Sequence, residues 1–384
     1  MPQVFRNACF ARPNGGIRLQ LKRGGPLEDH LKSYEGNHMK KILLASTALI
    51  VSAGFASAEV VIGGDGYMGV AYGDNGNPIF ATTDTSADQV PAGSGNNFSN
   101  YSFVYDLDVD FKASGTSDSG LTFGAAGDFD DLGASQGARG WDNSIFISGD
   151  FGTLTMGDID GAAENVIGDL AGVGLSGLGD FNENIFLIGA GAQPAGPVAR
   201  YDYAISGLTL SLGLSDDSGY NIGASYATDL FSVGLAYEDV ADGATVTLFD
   251  IDALGSTGST AITATAPNGA SQIIGAASVT FANVTLKGVY GQIDVDGTTV
   301  DTFDQYGVSA AAAFGAASVS AFYRAVTTDF KVAGTPDNDF EAYGLGVAYD
   351  LGGGLALEAG VAQADSDRAA NALTVADFGV SIDF

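Results

Sequence analysis

The chain has 384 residues and a glycine-rich, acidic composition, with 56 Gly and a formal net charge of −31. Its 23 Phe and 15 Tyr supply more apolar surface than a disordered chain carries, so the composition favours a folded protein rich in β-strands. The excess of negative charge repels phosphate groups and excludes nucleic acid as a partner.

The first predicted element in the chain is a cleavable leader. Residues 39–41 form a short basic start, residues 42–55 an apolar run, and residues 56–58 the small-residue motif Ala-Ser-Ala. This order is typical of a secretory signal peptide, which predicts residues 39–58 as the leader and Glu59 as the first residue of the exported protein. The apolar run is shorter than the roughly 20 residues that a membrane-spanning helix needs.

Residues 1–38 precede this leader, and they are basic and without a periodic apolar pattern. Because a signal peptide belongs at the N-terminus, we interpret residues 1–38 as an extension from a mis-chosen upstream start. An extended leader that is translated and then removed is the alternative. In both cases the folded domain is predicted to span residues 59–384.

The predicted mature domain retains seven Lys and Arg residues and 43 Asp and Glu residues, which gives a net charge of −36. It contains neither Cys nor His. Their absence from this domain excludes disulfides, the usual zinc sites and catalysis by Ser-His or Cys-His pairs within it. We therefore predict that the protein is not an enzyme and needs no cofactor.

Short segments of alternating apolar and polar residues continue from Glu59 to the C-terminus. In residues 101–111 the odd positions are apolar, and the even positions include Asp106 and Asp108. A period of two places the apolar side chains on one face of a strand and the polar ones on the other. A soluble β-sandwich would show similar alternation, so the periodicity alone leaves both folds open. The pattern recurs in residues 208–215, 231–237, 343–349 and 376–384.

Long and short connections alternate between these predicted strands, which is typical of an outer-membrane barrel. We count 16 strands, an even number that lets both termini lie on one side and lets the strand near Val60 pair with the strand ending at Phe384. A short helix is predicted over residues 162–170. The long connections are predicted near residues 73–97, 130–141, 158–198, 239–271, 292–303, 326–340 and 364–374; tight turns are predicted at 206–207, 228–229 and 282–283, and a shorter outer loop at 216–219.

Several segments resemble the porins of photosynthetic and related alphaproteobacteria, within the Gram-negative porin superfamily. Residues 114–124 are similar to the second hairpin of that family, residues 146–158 to the next hairpin and the entry to its third loop, and residues 343–354 to its penultimate hairpin. The final strand, which ends in Phe384, resembles the signal by which the barrel assembly machinery selects its clients. Together the matches bracket essentially the whole mature chain.

This resemblance implies an all-β fold, a 16-stranded antiparallel transmembrane β-barrel with an inward-folded third loop. It also implies an outer-membrane location in contact with lipid and lipopolysaccharide, and a homotrimer in which the second loop latches onto a neighbour. The implied function is a water-filled pore for passive diffusion of ions and small hydrophilic solutes. A substrate-specific channel is the alternative function, but a run of lumen aromatics or a basic cluster, which such a channel usually shows, is missing from the sequence.

The longest connection, residues 157–199, contains acids but no base. In the family the corresponding loop narrows the pore, so the resemblance implies that these carboxylates line one side of the constriction. A solvated acidic loop is the alternative for each of them. The six acids are Asp158, Asp160, Glu164, Asp169, Asp180 and Glu183.

Three bases alternate with apolar residues in predicted strands and are expected to point into the lumen: Arg200, Lys287 and Arg324. The resemblance implies a basic wall opposite the acidic loop, and these residues are the candidates for it. Ordinary salt bridges are the alternative role for each. Since Arg139 and Arg368 are expected in outer loops, the wall is sparse and the electric field across the pore is expected to be weak.

The charge balance predicts a preference for cations. Acidic clusters such as Asp128, Asp130 and Asp131, or Asp216 and Asp217, are candidates for Ca²⁺ or for divalent ions that bridge to lipopolysaccharide. They lack the spacing of a calcium-binding loop, so solvated acids are the simpler interpretation.

The sequence disfavours two further functions. An outer-membrane hydrolase is disfavoured because the mature sequence contains neither His nor Cys. A structural or adhesive barrel without a pore is disfavoured because side chains fill barrels of about eight strands, whereas 16 strands leave a lumen.

Overall fold

The structure is a computed structural model. It describes residues 59–73, 101–129, 141–189, 197–216, 219–241, 244–248, 262–266, 268–297, 300–331, 338–367 and 372–384. The predicted extension and signal peptide lie outside the described residues, as do Arg139 and Arg368, so the predictions for them stay predictions.

Sixteen strands close into one barrel in which sequential neighbours pair antiparallel and the first strand pairs with the last. A separate two-stranded hairpin lies within one connection, and one short helix lies within another. The barrel strands are β1 (Glu59–Gly73), β2 (Tyr101–Thr116), β3 (Thr122–Phe129), β4 (Trp141–Gly149), β5 (Gly152–Gly157), β6 (Val198–Ile205), β7 (Leu208–Ser215), β8 (Tyr220–Ala227), β9 (Phe231–Val240), β12 (Ala270–Phe281), β13 (Val284–Val295), β14 (Val300–Phe314), β15 (Ala317–Phe330), β16 (Asn338–Asp350), β17 (Leu355–Ser366) and β18 (Leu373–Asp383); the hairpin is β10 (Ala244–Leu248) with β11 (Ile262–Ala266), and the helix is α1 (Ala162–Ile167).

The 16-stranded antiparallel barrel predicted from the sequence is confirmed. The predicted short helix is present, but it ends three residues earlier than expected, because Gly168 adopts a φ of 60° and breaks the helical path. In the described part of the chain, no helix has the length and apolar character to cross a membrane.

Short and long connections alternate around the barrel as predicted. The connection predicted near residues 292–303 is shorter than expected, since β13 continues to Val295 and β14 begins at Val300. Both chain ends of the described domain lie at the short-turn end. There the backbone N–H of Phe384 donates to the carbonyl of Gly64, and the N–H of Gly64 donates to the carbonyl of Phe384, each at 2.9 Å. These two bonds extend the pairing that closes the barrel.

The outer face of the barrel carries the large apolar side chains that the alternation predicted. Phe103 is 90% exposed, and Leu212 and Leu345 are about half exposed. Aqueous exposure of so many apolar side chains in neighbouring strands would be unfavourable, whereas a lipid environment accepts them. The exposed outer face is therefore suited to membrane.

The hydrophobic core lies inside the barrel, between the wall and the long connection from β5 to β6. Leu178 and Ile188 of this connection pack in one cluster with the wall residues Ile274 and Phe303. Burial of such side chains stabilises the folded state by about 1.5–3 kcal/mol each. The connection is consequently part of the folded core and narrows the lumen from one side.

Candidate pore constriction

The connection between β5 and β6, residues 158–197, is here named the constriction loop; residues 158–189 and 197 of it are described. It first forms α1 against β7, β8, β9 and β12, and then follows the inner wall through successive strands. Along this path its side chains approach glycines of the wall closely: Leu170 contacts Gly307, and Leu175 contacts Gly69. A Cβ at Gly360 would lie 2.4 Å from the Cα of Gly174, so only glycine allows this approach.

Glu238 of β9 holds the returning end of the loop. It is fully buried, and its Oε2 accepts the backbone N–H of Leu187 at 3.0 Å, while its Oε1 accepts that of Ile188 at 3.2 Å. The side-chain amides of Asn221 and Gln272 donate to the same carboxylate at 3.3 and 3.0 Å. Four donors thus satisfy this buried carboxylate and fix the loop end on the wall.

Asp377 of β18 holds the far tip of the loop. Its Oδ2 accepts the backbone N–H of Leu175 at 2.9 Å and both the N–H and the Oγ–H of Ser176 at 2.7 Å. Hydrogen bonds to a charged acceptor are about twice as strong as those between neutral groups. The tip is therefore tied to the strand that closes the barrel.

Two glutamines and a serine add bonds between these ends. Ile185 donates its N–H to Gln305 Oε1 at 2.8 Å, and its carbonyl accepts Nε2–H groups of Gln272 and Gln305 at 2.9 and 2.8 Å. Ser320 Oγ donates to the carbonyl of Gly172 at 2.7 Å. Wall side chains thus bond to the loop backbone at several points, which is how a long connection is held in one position inside an aqueous lumen.

The three candidate bases all lie on the inner face, and two of them bond to the loop itself. Lys287 Nζ donates to the carbonyls of Ile167 and Asp169 at 2.6 and 2.7 Å. Arg200 donates through Nη1 to the carbonyl of Asp160 at 2.6 Å and forms a 2.9 Å ion pair with Asp202. The structure therefore places them beneath the constriction loop, which differs from the opposing basic wall that the resemblance implied.

Arg324 is the third candidate base and is 5% exposed. Its guanidinium carbon lies 5.7 Å from the centroid of the Phe340 ring, a cation–π arrangement. It is attracted electrostatically by Asp169 and Glu183. Arg324 is likewise covered by the loop and does not stand across the pore from it.

The six candidate acids occupy different parts of the loop. Asp158 lies exposed where the loop leaves β5, Glu164 lies in the first turn of α1, and Asp180 follows the 3₁₀ turn Gly177–Gly179 with a φ of 57°. Asp169 and Glu183 lie on the outgoing and returning arms of the loop. The two arms are joined there, because Asn184 donates its N–H to Asp169 Oδ1 at 2.7 Å.

Three of these acids influence one another electrostatically. Burial raises the pKa of Asp169, and the nearby negative charge of Asp160 raises it further. The hydrogen bond from the N–H of Asn184 and the positive charges of Lys287 and Arg324 lower this pKa and partly offset the increase. Glu183 is exposed to the lumen, but the protein around it replaces much of the bulk water. That desolvation, together with the charge of Asp169, raises the pKa of Glu183 to about 7. Asp160, Asp169 and Glu183 thus form one coupled group.

Acids also lie on the inner face of β1 and β2. Asp106 and Asp108 alternate with the exposed Tyr105 and Leu107, so they face the inside of the barrel. Asp65 is directly opposite Asp108 in the register of β1 and β2 and shares that face. The sequence identified Asp106 and Asp108 by their alternation, and the barrel now brings Asp65 beside them.

Sequence reasoning missed Glu238, Asp377, Gln272 and Gln305. Each alternates with outward residues of its strand, which was the only signal in the sequence that they face inward. Of the candidate Ca²⁺ positions, Asp130, Asp131 and Asp217 lie outside the described residues. Within the residues described, no group of three or more His, Cys, Asp or Glu side chains has an arrangement that would hold a metal ion.

Comparisons with known proteins agree with this geometry. The model of the Gram-negative porin family matches residues 45–369. A porin of Rhodobacter capsulatus is 31% identical over 357 residues, covering 85% of this chain and all of the relative. Among solved structures, a porin refined at 1.8 Å has 28% identity and a TM-score of 0.62, and a mutant porin of Rh. blastica has 21% identity and a TM-score of 0.56. Both cover 85% of this chain and 100% of their own.

The family match, the closed 16-stranded barrel and the loop fixed inside it lead to one assignment. The chain belongs to the Gram-negative porin family and is a porin channel of the outer membrane.

Proposed function

We propose that this porin passes ions and small hydrophilic solutes by passive diffusion and prefers cations. The observation that carries the proposal is the pairing of the bases near the constriction. Lys287 donates to loop carbonyls, and Arg200 both donates to a loop carbonyl and pairs with Asp202. Their charges are held behind the loop, while Glu183 is exposed toward the lumen.

The inner face of β1 and β2 supports the same proposal, because Asp65, Asp106 and Asp108 add negative charge on another side of the lumen. Carboxylates around a narrow aqueous passage raise the local concentration of cations, since the low-dielectric wall focuses their field. Substrate specificity, the alternative function, would require a site that binds one solute better than others of its size.

Reversal potentials across a KCl gradient in a planar bilayer test the proposal. We expect cation selectivity that shrinks as salt is raised, because the Debye length falls from about 30 Å at 0.01 M to about 3 Å at 1 M. Neutralising Asp160, Glu164 and Asp169 together to the amides should reduce the selectivity. Asp158→Asn, which removes a single exposed candidate acid where the loop leaves β5, should have a smaller effect than the triple change. Anion selectivity of the unmodified channel would overturn the proposal.

The partners are proposed on the same basis. A homotrimer and contact with lipid and lipopolysaccharide are supported by the exposed apolar outer face and by membership of the family. Recognition by the barrel assembly machinery is supported by the alternating last strand that ends at Phe384. Binding of Ca²⁺ by acidic outer loops remains a prediction from the sequence. Transport by diffusion, without a catalysed reaction, is the function proposed.

A further inference from the structure

An inward patch on β15, β16 and β17 contains buried polar atoms without partners. Thr328 Oγ1, Asn338 Oδ1, Ser366 Oγ and Arg324 Nε have no hydrogen-bond partner in the described part of the structure. The four residues are 1%, 2%, 7% and 5% exposed, respectively. Unpartnered buried polar atoms are rare in folded proteins, and each requires an explanation such as a missing water or ligand.

The register of the sheet brings these residues into one area around Phe340. Thr328 lies directly opposite Asn338, and Ser366 lies directly opposite Phe340 on the next strand. Directly opposed residues of an antiparallel pair share one face and have Cβ atoms about 4.5–5.5 Å apart. Arg324 lies four residues before Thr328 on the same face of β15, and its guanidinium stacks on the Phe340 ring. These five residues are named the β15–β17 patch.

Barrel stability does not require polar residues in the β15–β17 patch. The neighbouring inward positions are Val326, Ala342 and Ala364, and all three are buried. Apolar side chains therefore fit this part of the wall, and an unpartnered polar group in the same place is unfavourable. The patch instead contains two hydroxyls, an amide and a guanidinium beside an aromatic ring. These groups can form hydrogen bonds to a solute.

The returning arm of the constriction loop covers the patch through Phe181. The rings of Phe181 and Phe340 lie 6.3 Å apart and are tilted by 57°. Just before Phe181, Leu178 and Asp180 have φ values of 52° and 57°, a left-handed conformation that is unfavourable for leucine but tolerated by aspartate. A change of conformation at this turn would move Phe181 and uncover the patch.

We propose that the β15–β17 patch is a subsite for a neutral polyhydroxylated solute, a monosaccharide or polyol, and that Phe181 is its movable cover. The hydroxyls of the solute would bond to Thr328, Asn338 and Ser366 and accept from Arg324, while the faces of its carbons pack on Phe340. A neutral solute fits better than an anion because the negative charges of Asp169 and Glu183 already act on Arg324. The inference rests on the proposed diffusion function, to which it adds a preferred solute class.

D-glucose is the probe, and the current through single channels in KCl is the measurement. In the unmodified protein we expect glucose to reduce the current in a saturable way, beyond the reduction that the bulk conductivity of the sugar solution predicts. Thr328→Val and Asn338→Leu should each weaken the apparent affinity about fivefold, the ratio that corresponds to one hydrogen bond. Phe181→Ala should speed association, because the cover is removed.

The matched control is Thr153→Val on β5, where a buried inward threonine already bonds to Ser148 at 2.9 Å. It should leave the glucose effect unchanged but lower the thermal stability of the barrel. Thr328→Val should leave that stability unchanged or raise it, since it removes an unpartnered hydroxyl. These opposite stability effects separate loss of a subsite from general damage to the barrel.

A reduction of the current that follows bulk conductivity alone in the unmodified protein would overturn the proposal and would mean that the patch holds at most water. A saturable effect that survives both Thr328→Val and Asn338→Leu would overturn it as well. Absence of KCl conductance in the unmodified protein would instead contradict the proposed diffusion function. The two proposals therefore fail in distinguishable ways.

Discussion

Replacing Asp377 by alanine removes the oxygen that holds the tip of the constriction loop to the wall. That oxygen accepts three hydrogen bonds of 2.7–2.9 Å from Leu175 and Ser176. Hydrogen bonds to charged groups contribute about 1.5–3 kcal/mol each, and those that share one atom are not additive. We take about 3 kcal/mol for the set, which is a change of about a hundredfold in the balance between a held and a released tip.

Single-channel recordings in planar bilayers measure the consequence. With Asp377→Ala we expect a smaller mean conductance and more open-channel noise, because the released tip enters the lumen. Asp377→Asn keeps an acceptor oxygen without the charge, so its effect should be intermediate. The control is Glu358→Gln on the neighbouring strand, whose carboxylate accepts from Ser381 of the wall at 2.5 Å. Folding is checked by the heat-dependent migration of the barrel on gels.

A folded Asp377→Ala channel with the conductance and noise of the unmodified protein would refute the reasoning. It would mean that packing of Leu178 and Phe181 alone positions the tip. A large effect of Glu358→Gln would also count against it, because a general change of charge in the lumen would then explain the result.

Three further predictions concern titration, assembly and processing. Because desolvation by the surrounding protein and the charge of Asp169 raise the pKa of Glu183 to about 7, its carboxyl is neutral below that pH and negative above it. Cation selectivity should therefore increase from pH 6 to pH 8, and Glu183→Gln should remove most of this change, which reversal potentials measure. A pH dependence that survives Glu183→Gln would exclude this residue as its source. Deletion of Phe384 should lower the amount of folded barrel in the outer membrane, since it removes the two bonds to Gly64 that extend the barrel closure; fractionation and immunoblotting measure this, and normal amounts would contradict it. The exported protein should begin at Glu59, and N-terminal sequencing that found any of residues 1–38 on the membrane-inserted form would show that prediction to be wrong.

The strand pattern explains why the barrel could be predicted from the sequence. In a strand the side chains alternate between two faces, so the run from Tyr101 to Thr116 shows its membrane face directly in its odd positions. The connection lengths then indicated which ends of the strands share a side. The strand limits were less accurate, as at Val295, because the pattern reverses at the end of β13: Ile293 and Val295 are buried, and the exposed position between them is polar.

The candidate site was predicted in part. The acidic loop lies inside the barrel, and Arg200, Lys287 and Arg324 lie on the inner face beneath it. Their partners did not follow from the sequence. Lys287 bonds to carbonyls 118 and 120 residues away, and backbone carbonyls leave no mark in a sequence.

The sequence by itself thus determined the class of fold, the membrane face of the strands with clear alternation and the negative charge of the mature domain, since each depends on local alternation or on composition. Only the tertiary structure decided that Glu238 and Asp377 hold the constriction loop and that the bases lie beneath it. The physical reason is that alternation indicates which face of a strand a side chain occupies but not which distant residues contact that face. The path of the constriction loop across the inner wall depends on contacts between residues far apart in the chain, such as Ser176 with Asp377.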